Sequence, residues 1–496
     1  MSQINVSHLT FAYDGSYDNI FTDVSFQLDT DWKLGFCGRN GRGKTTFLNL
    51  LMGRYEYRGT ITASVDFEYF PCQVADPSLH TMNILAAVAP DASPWEFKRE
   101  LSLLAATEDA LYRPFATLSN GEQTKILLAG LFLRENAFLL IDEPTNHLDM
   151  DARRVIARYL NSKTGFILVS HDRMFLDECI DHVLSINKMN IEVQSGNFSS
   201  WWYNKQLQDE YELQENERLK KDISRLKTAA QRTAAWSDRA ERGKVGIDPN
   251  KVDNKMGYAP KQGAKAKKMM ARSKAMQNRQ QRSIDEKSKL LRNIETAESL
   301  KLHPLSYHAH RLLSVEDLSV VYGSREIFSG MTFTLEQNDR LALIGGNGSG
   351  KSSLLKLICG EDIPHHGLVS TGSRLIISYV PQDASFLAGD LSEYAAENNI
   401  DGTLLRAILH KLDFSKIQFE KDMRDYSAGQ KKKVLLARSL CELAHLYIWD
   451  EPLNYIDVLS RMQIEELILA FKPTLLFVEH DRAFCDNIAT KEVRFT

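Results

Sequence analysis

The chain has 496 residues, 43 % hydrophobic and 25 % charged, with a formal net charge of −4. That length exceeds one ordinary domain and predicts two to four, each able to bury a sizeable core. No apolar run approaches the ~18 residues that a membrane span requires, which excludes an integral helical membrane protein. Six cysteines (Cys37, Cys72, Cys179, Cys359, Cys441 and Cys485) lie far apart with no C-x-x-C spacing. This pattern argues against zinc, an iron–sulfur cluster or a disulfide framework and predicts small core residues. The opening MSQINVSHLTF has no basic segment followed by an apolar one, so no secretory leader is expected and the location predicted is cytoplasmic.

In chain order, the first element with readable chemistry is the apolar run LGFC, an expected strand, followed by Gly38-Arg39-Asn40-Gly41-Arg42-Gly43-Lys44-Thr45 and a helical pattern. This is the G-x-x-x-x-G-K-[ST] phosphate loop. Its glycines let backbone N–H groups wrap phosphates and the helix N-terminus adds its dipole. Lys44 reaches the β- and γ-phosphates, and Thr45 can ligate Mg²⁺. The run FLLIDEP then predicts a buried parallel strand that delivers Asp142 and Glu143 to its carboxyl end. Asp142 would hold Mg²⁺ through water, and Glu143 would orient or deprotonate the attacking water. His171, in LVSHD, follows another apolar strand as a candidate γ-phosphate sensor.

All of this recurs. Lys44 and Lys351 are 307 residues apart, Ser119 and Ser427 308, His171 and His480 309. The second copy supplies Gly345, Asn347, Gly348, Gly350, Lys351 and Ser352, then Asp450 and Glu451, then His480. Two homologous domains, 1–205 and 303–496, therefore flank a segment, 206–302, that belongs to neither.

LSNGEQTK at 118–125 and YSAGQKKK at 426–433 resemble the signature loop of ATP-binding-cassette ATPases, and the resemblance covers both repeats. It implies an α/β fold in which two ATP-binding-cassette ATPase domains, joined by a long α-helical hairpin linker, close head to tail within a monomer over two ATP molecules. Each phosphate loop then faces the other domain's signature: Lys44 and Glu143 would meet Ser427, Gly429 and Gln430, and Lys351 and Glu451 would meet Ser119, Gly121 and Glu122. By the same resemblance, Gln73 and Gln382 match the Q-loop and join Thr45 and Ser352 as metal ligands. Tyr13 and Tyr322 match the adenine-stacking aromatic, Thr46 and Ser353 complete the phosphate loops, and Asp149 and Asp457 match the D-loop.

The intervening segment selects among the family's jobs. From about 206 to 236, Leu207, Tyr211, Leu219, Ile223, Leu226 and Ala230 recur mostly at three- or four-residue steps, predicting an amphipathic helix. A second is expected over about 264–300, carrying Met269, Met270, Ala275, Met276, Ile284, Leu291 and Ile294. The breaker-rich tip at about 243–263 lies between them. Residues 231–282 hold fourteen Lys or Arg against four Asp or Glu, although the whole chain is acidic. Such a patch fits phosphate backbones, whereas merely solvated helices usually mix both signs. A tandem chain without a membrane domain, with DEPTNHLD after its first carboxylate strand, is similar to the ABC-F group that acts on ribosomes. With no room for an arm between Gln73 and Ser119, it looks like the Lsa-type antibiotic-resistance proteins. That resemblance implies the ribosome, its RNA and its exit-site and peptidyl-site tRNA as partners. It also implies protection of the peptidyl-transferase centre against lincosamides, streptogramin A and pleuromutilins. A translation factor acting on stalled ribosomes, and an ATPase subunit of a drug exporter, are the alternatives.

Overall fold

The computed structural model describes residues 2–13, 19–146, 148–186, 191–242, 279, 300–323, 325–415 and 417–495. The chain divides into two compact units, Met1–Trp201 with Ala297–Thr496, and Trp202–Thr296.

Within the first unit, each repeat builds a mainly parallel sheet around its phosphate-loop strand. In the first copy Lys33–Cys37 lies between Phe166–Val169 and His182–Ile186, with Ala137–Asp142 and Asp66–Phe70 beyond Phe166–Val169 and antiparallel Ile191–Ser195 at the other edge. In the second, Arg340–Ile344 lies between Leu475–Val478 and Lys491–Arg494, followed outward by Leu446–Asp450 and Ile377–Val380. The central strands are buried on both faces, as crossover helices require, and read as continuous apolar runs: Phe138, Leu139, Leu140 and Ile141 are essentially inaccessible, as are Tyr447, Ile448 and Trp449. Their carboxyl ends converge beside the phosphate loops, where open α/β sheets place ligands. Each copy adds a three-stranded antiparallel sheet, led by Gln3–Phe11 and Arg311–Tyr322.

Each signature loop starts a helix, Asn120–Leu131 or Ala428–Cys441, and each start is a reciprocal cap. The Glu122 N–H donates to Ser119 Oγ at 3.3 Å while Glu122 Oε2 accepts from the Ser119 N–H at 2.8 Å; Ser427 and Gln430 repeat the arrangement. Two orphan N–H groups are thereby satisfied at each end. The six cysteines are free thiols, three of them buried.

The helix Phe198–Arg242 begins in the first unit, where Phe198 and Trp201 are buried, and continues into the second. At 45 residues it extends beyond the expected 206–236 span on both sides and is roughly 68 Å long at 1.5 Å per residue. The expected apolar stripe is uneven. Ile223 is buried and Leu219 and Leu226 are half-buried, but Leu207 and Tyr211 are exposed. The expected second helix and the tip at 243–263 lie outside the described residues.

Candidate functional site

The phosphate loops are locally specified. Gly43 and Gly350, both at φ 95°, cap the helices Lys44–Leu51 and Lys351–Ile358. A side chain there would also collide, since a Cβ would sit 2.6 Å from Ile20 or Ile327. Only glycine takes this left-handed turn freely. Lys44 Nζ donates to the carbonyls of Gly38 (2.6 Å) and Arg39 (3.2 Å), and Lys351 Nζ to those of Gly345 (2.9 Å) and Gly346 (2.7 Å). Both cations are thus held over the space their loops enclose. Thr45 Oγ1 donates to Asp142 Oδ2 at 3.2 Å, and Ser352 bonds the Asp450 carboxylate. Tyr13 Oη meets Thr46 Oγ1 at 2.7 Å, and Tyr322 Oη meets Ser353 Oγ at 3.2 Å.

Glu143 and Glu451 occupy a strained backbone, with φ of 52° and 46°. Non-glycine residues avoid this region except where the surroundings enforce it, commonly at functional sites. Here the N–H of each donates to the neighbouring strand, Val169 O at 2.9 Å and Val478 O at 3.0 Å, which turns the side chain off the strand end. His171 Nε2 lies 3.2 Å from Glu143, and His480 Nε2 3.3 Å from Glu451.

The first unit brings each phosphate loop against the opposite cassette, but the two composite sites differ. A cleft of about 1080 Å³ is lined by Lys351, Ser352, Gln382, Glu451 and His480 on one side and by Ser119, Gly121, Glu122 and Asp149 on the other. That volume suits a nucleotide-sized ligand. A separate small cavity of about 10 Å³ lies behind Lys44, among Cys37, Gly38, His171, Trp201 and Val458, and takes in no residue of the signature loop opposite. The phosphate loop that carries Lys44 is tied to the opposite cassette by direct contacts. Asn40 Nδ2 donates to Tyr455 O at 3.0 Å, and the same carbonyl lies 2.5 Å from where a Cβ on Gly429 would be. Arg39 and Arg42 lie 3.7 and 3.6 Å from Asp413. At the other site the corresponding loop positions are Gly346 and Ser349, and Ala105 stands where Asp413 would be, so the ion pairs have no counterpart.

The carboxylates follow suit. Glu451 is buried, which raises its pKa, but His480, the Gln382 amide (2.8 Å) and Lys432 outweigh burial and hold it down at about 2. Asn454 Nδ2 donates to it at 2.6 Å. Glu143 is pushed up to about 8 by burial and then by Asp142. Gln73 is exposed and makes no bond to Glu143, so the two Q-loop residues are placed differently. Burial, with Lys44 and Arg461 nearby, lowers His171 well below the usual imidazole range.

A carboxylate needing a proton removed below pH 8 cannot act as a base. In a Glu451→Gln variant, where only the Glu143 site turns over, kcat/KM for ATP is therefore expected to rise between pH 7 and 9. In Glu143→Gln it should stay flat from pH 6 to 9, because Glu451 is already ionised. Such profiles report the free enzyme's ionisations, and identical curves for the two variants would contradict the assignment.

Two contributions escaped sequence reading. Tyr69 Oη donates to Asp142 Oδ2 at 2.9 Å, and Tyr379 sits at the matching place before Asp450; the recurrence of a tyrosine just ahead of each Q-loop was the available signal. The Arg39 and Arg42 pairing with Asp413 leaves no local trace.

Among the described residues no group of three His, Cys, Asp or Glu side chains could hold a metal ion. A hydroxyl beside a carboxylate is present at each site, however, and Asp450 Oδ1 is buried with no hydrogen-bond partner. This set fits a hard divalent cation that takes most of its oxygens from phosphate and water.

The family profile described as ABC transporter matches residues 21–146 and 328–454. The chain belongs to this family as a tandem ATP-binding-cassette ATPase of the ABC-F type. It is 27 % identical over 493 residues to the ribosome protection protein VmlR of Bacillus subtilis, covering 97 % of this chain and 85 % of that one. It is 25 % identical over 526 residues to the energy-dependent translational throttle protein EttA of Haemophilus influenzae, covering 95 % and 88 %. In fold it resembles a structure of archaeal ribosome recycling factor aABCE1 in complex with ribosomal stalk protein aP1, with a TM-score of 0.62, 18 % identity, and coverage of 98 % of this chain and 87 % of that one. No described helix is long and apolar enough to cross a membrane.

Proposed function

We propose that the chain is a cytoplasmic, ATP-dependent ribosome-binding protein that enters the tRNA exit site and protects the peptidyl-transferase centre from lincosamides, streptogramin A and pleuromutilins. Mg²⁺-ATP closes the cassettes, with Thr45, Asp142 and Gln73 at one cation site and Ser352, Asp450 and Gln382 at the other. The segment 206–302 contacts ribosomal RNA and the exit-site and peptidyl-site tRNA. One observation carries this reading: a cleft of nucleotide size, lined by a phosphate loop on one cassette and a signature loop on the other, is paired in one chain with a strongly basic insertion. The full-length similarity to a ribosome protection protein supports the drug-directed form, and that to a translational throttle protein favours, as second reading, a factor regulating stalled ribosomes. Growth with and without drug separates them.

The basic insertion makes its own prediction. Changing Lys261, Lys265, Lys267, Lys268, Arg272 and Lys274 to Gln should weaken ribosome binding. It should also flatten the dependence of log affinity on log salt by about 0.7 to 0.9 for each phosphate that is no longer neutralised. ATPase activity without ribosomes should barely change. Pelleting with ribosomes over a salt series reads this, and a slope equal to the parent's would show charges that only solvate the segment.

A further inference from the structure

Behind the two sites lies a buried cluster that the nucleotide chemistry does not use. Asp172 follows His171 and caps the helix Arg173–Cys179 by accepting from the Phe175 N–H at 3.1 Å; Asp481 follows His480 and caps Arg482–Ile488 through Phe484 in the same way. Each aspartate pairs with an arginine of its own cassette, Arg153 with Asp172 at 2.9 Å and Arg461 with Asp481 at 3.0 Å. The four side chains are no more than 11 % exposed.

The two arginines then differ. Arg461 Nε donates to Ile456 O at 2.9 Å, so its hydrogen bonds stay within its own cassette, although its charge also acts on Glu143, His171 and Asp172 opposite. Arg153 Nε likewise donates to Leu148 O at 3.1 Å, but its NH1 group also donates to His480 O at 3.2 Å in the opposite cassette. A continuous path therefore runs from His171 through Asp172 and Arg153 to His480, and on to Glu451 3.3 Å from the His480 ring. Leu148, whose carbonyl anchors the same guanidinium, packs against Gly121 of the signature loop in the open cleft. Arginine suits this post because its planar fork holds separated acceptors in fixed directions, which the point charge of a lysine ammonium on a flexible stem does not do.

We propose that Arg153 is a positioning residue that couples the sites, setting the His480 backbone according to whether the site holding Lys44 is occupied. The proposal rests on His480 acting at the γ-phosphate beside Glu451. Because the guanidinium joins both cassettes, it holds His480 in place only while the Leu148 carbonyl and Asp172 keep their present relation to the opposite cassette. Asn40, bonded to Tyr455, and Arg39 and Arg42, beside Asp413, tie the Lys44 phosphate loop directly to the opposite cassette, so nucleotide held by that loop bears on this relation.

The test compares turnover at the Glu451 site in two full-length backgrounds. Glu143→Gln leaves the first site able to hold ATP without hydrolysing it, and Lys44→Ala prevents it from holding the phosphates. The ratio of the two kcat values is the effect of first-site occupancy. With Arg153 present the ratio is expected to depart from unity by about fivefold or more, the usual range of site-to-site coupling. With Arg153→Lys it should fall to within about twofold of unity, as for independent sites. Arg153→Met alone would strand Asp172 as a buried unpaired charge, so the second variant combines Arg153→Met with Asp172→Asn, and the same collapse is expected. A ratio near unity in the parent, or one that survives in both variants while their melting temperatures fall, would overturn the proposal and leave Arg153 a structural ion-pair partner. If glutamate and lysine substitutions at the sites left hydrolysis unaltered, the failure would lie instead with the assignment of the sites.

Discussion

Replacing Glu143 and Glu451 together with Gln is expected to lower ATP hydrolysis by about 10²–10⁴-fold while leaving ATP binding intact. Each glutamate stands at the end of a buried strand in a strained backbone, beside a histidine and next to the aspartate proposed for the cation site. The amide keeps shape and hydrogen bonding but cannot take a proton, so the loss falls on kcat, as expected for an interaction made chiefly in the transition state. The single variants should not be equivalent. Glu451 is held down at about 2 and bonded by Gln382 and Asn454, whereas burial and Asp142 push Glu143 up to about 8. Phosphate release and equilibrium nucleotide binding, measured on the same preparations, check this; hydrolysis at the parent's rate in the double variant would remove both residues from their assigned roles.

The second large effect concerns the insertion. Shortening 244–258 to a turn of a few residues is expected to abolish drug protection in cells while ribosome pelleting largely survives, since most of the basic residues, from Lys261 onward, remain. The sequence there places Gly, Pro, Asn and Asp at intervals that break a helix, and protection as proposed requires this part to approach the drug or the RNA around it. Val245, Ile247, Val252, Met256 and Tyr258 are its apolar positions. If bulk at one or two of them matters, the mechanism is steric displacement; if many substitutions are tolerated, RNA is reshaped. Full resistance from the shortened protein would contradict the protection mechanism and favour the regulatory reading.

The sequence exposes what is local. A phosphate loop, an apolar strand ending in two carboxylates and a capped signature helix are each specified within about a dozen residues, and the repeat at 307 to 309 residues shows each one twice. The mixed α/β fold with tandem cassettes follows from them. The difference between the two sites was hidden because it depends on partners far apart in the chain. Arg39 and Arg42 read as variable loop positions until Asp413 is found beside them, and Ala105 gives no sign that it is the position where that charge is missing. Gln73 and Gln382 look equivalent in sequence, and both are exposed, yet only Gln382 reaches its glutamate. Arg153 and Arg461 also occupy matching positions, and only the packed interface shows that Arg153 donates a hydrogen bond to a carbonyl across it while those of Arg461 stay within its own cassette.

The central claim is that ATP bound between the cassettes commits this protein to the ribosome. The most direct measurement is co-sedimentation of the Glu143→Gln, Glu451→Gln variant with ribosomes in ATP, in ADP and without nucleotide. The variant is expected to accumulate on ribosomes in ATP and to be largely absent from the pellet in the other two conditions, with the parent protein intermediate in ATP because hydrolysis releases it. Equal and negligible pelleting in all three conditions, from a variant that still binds ATP, would contradict the claim.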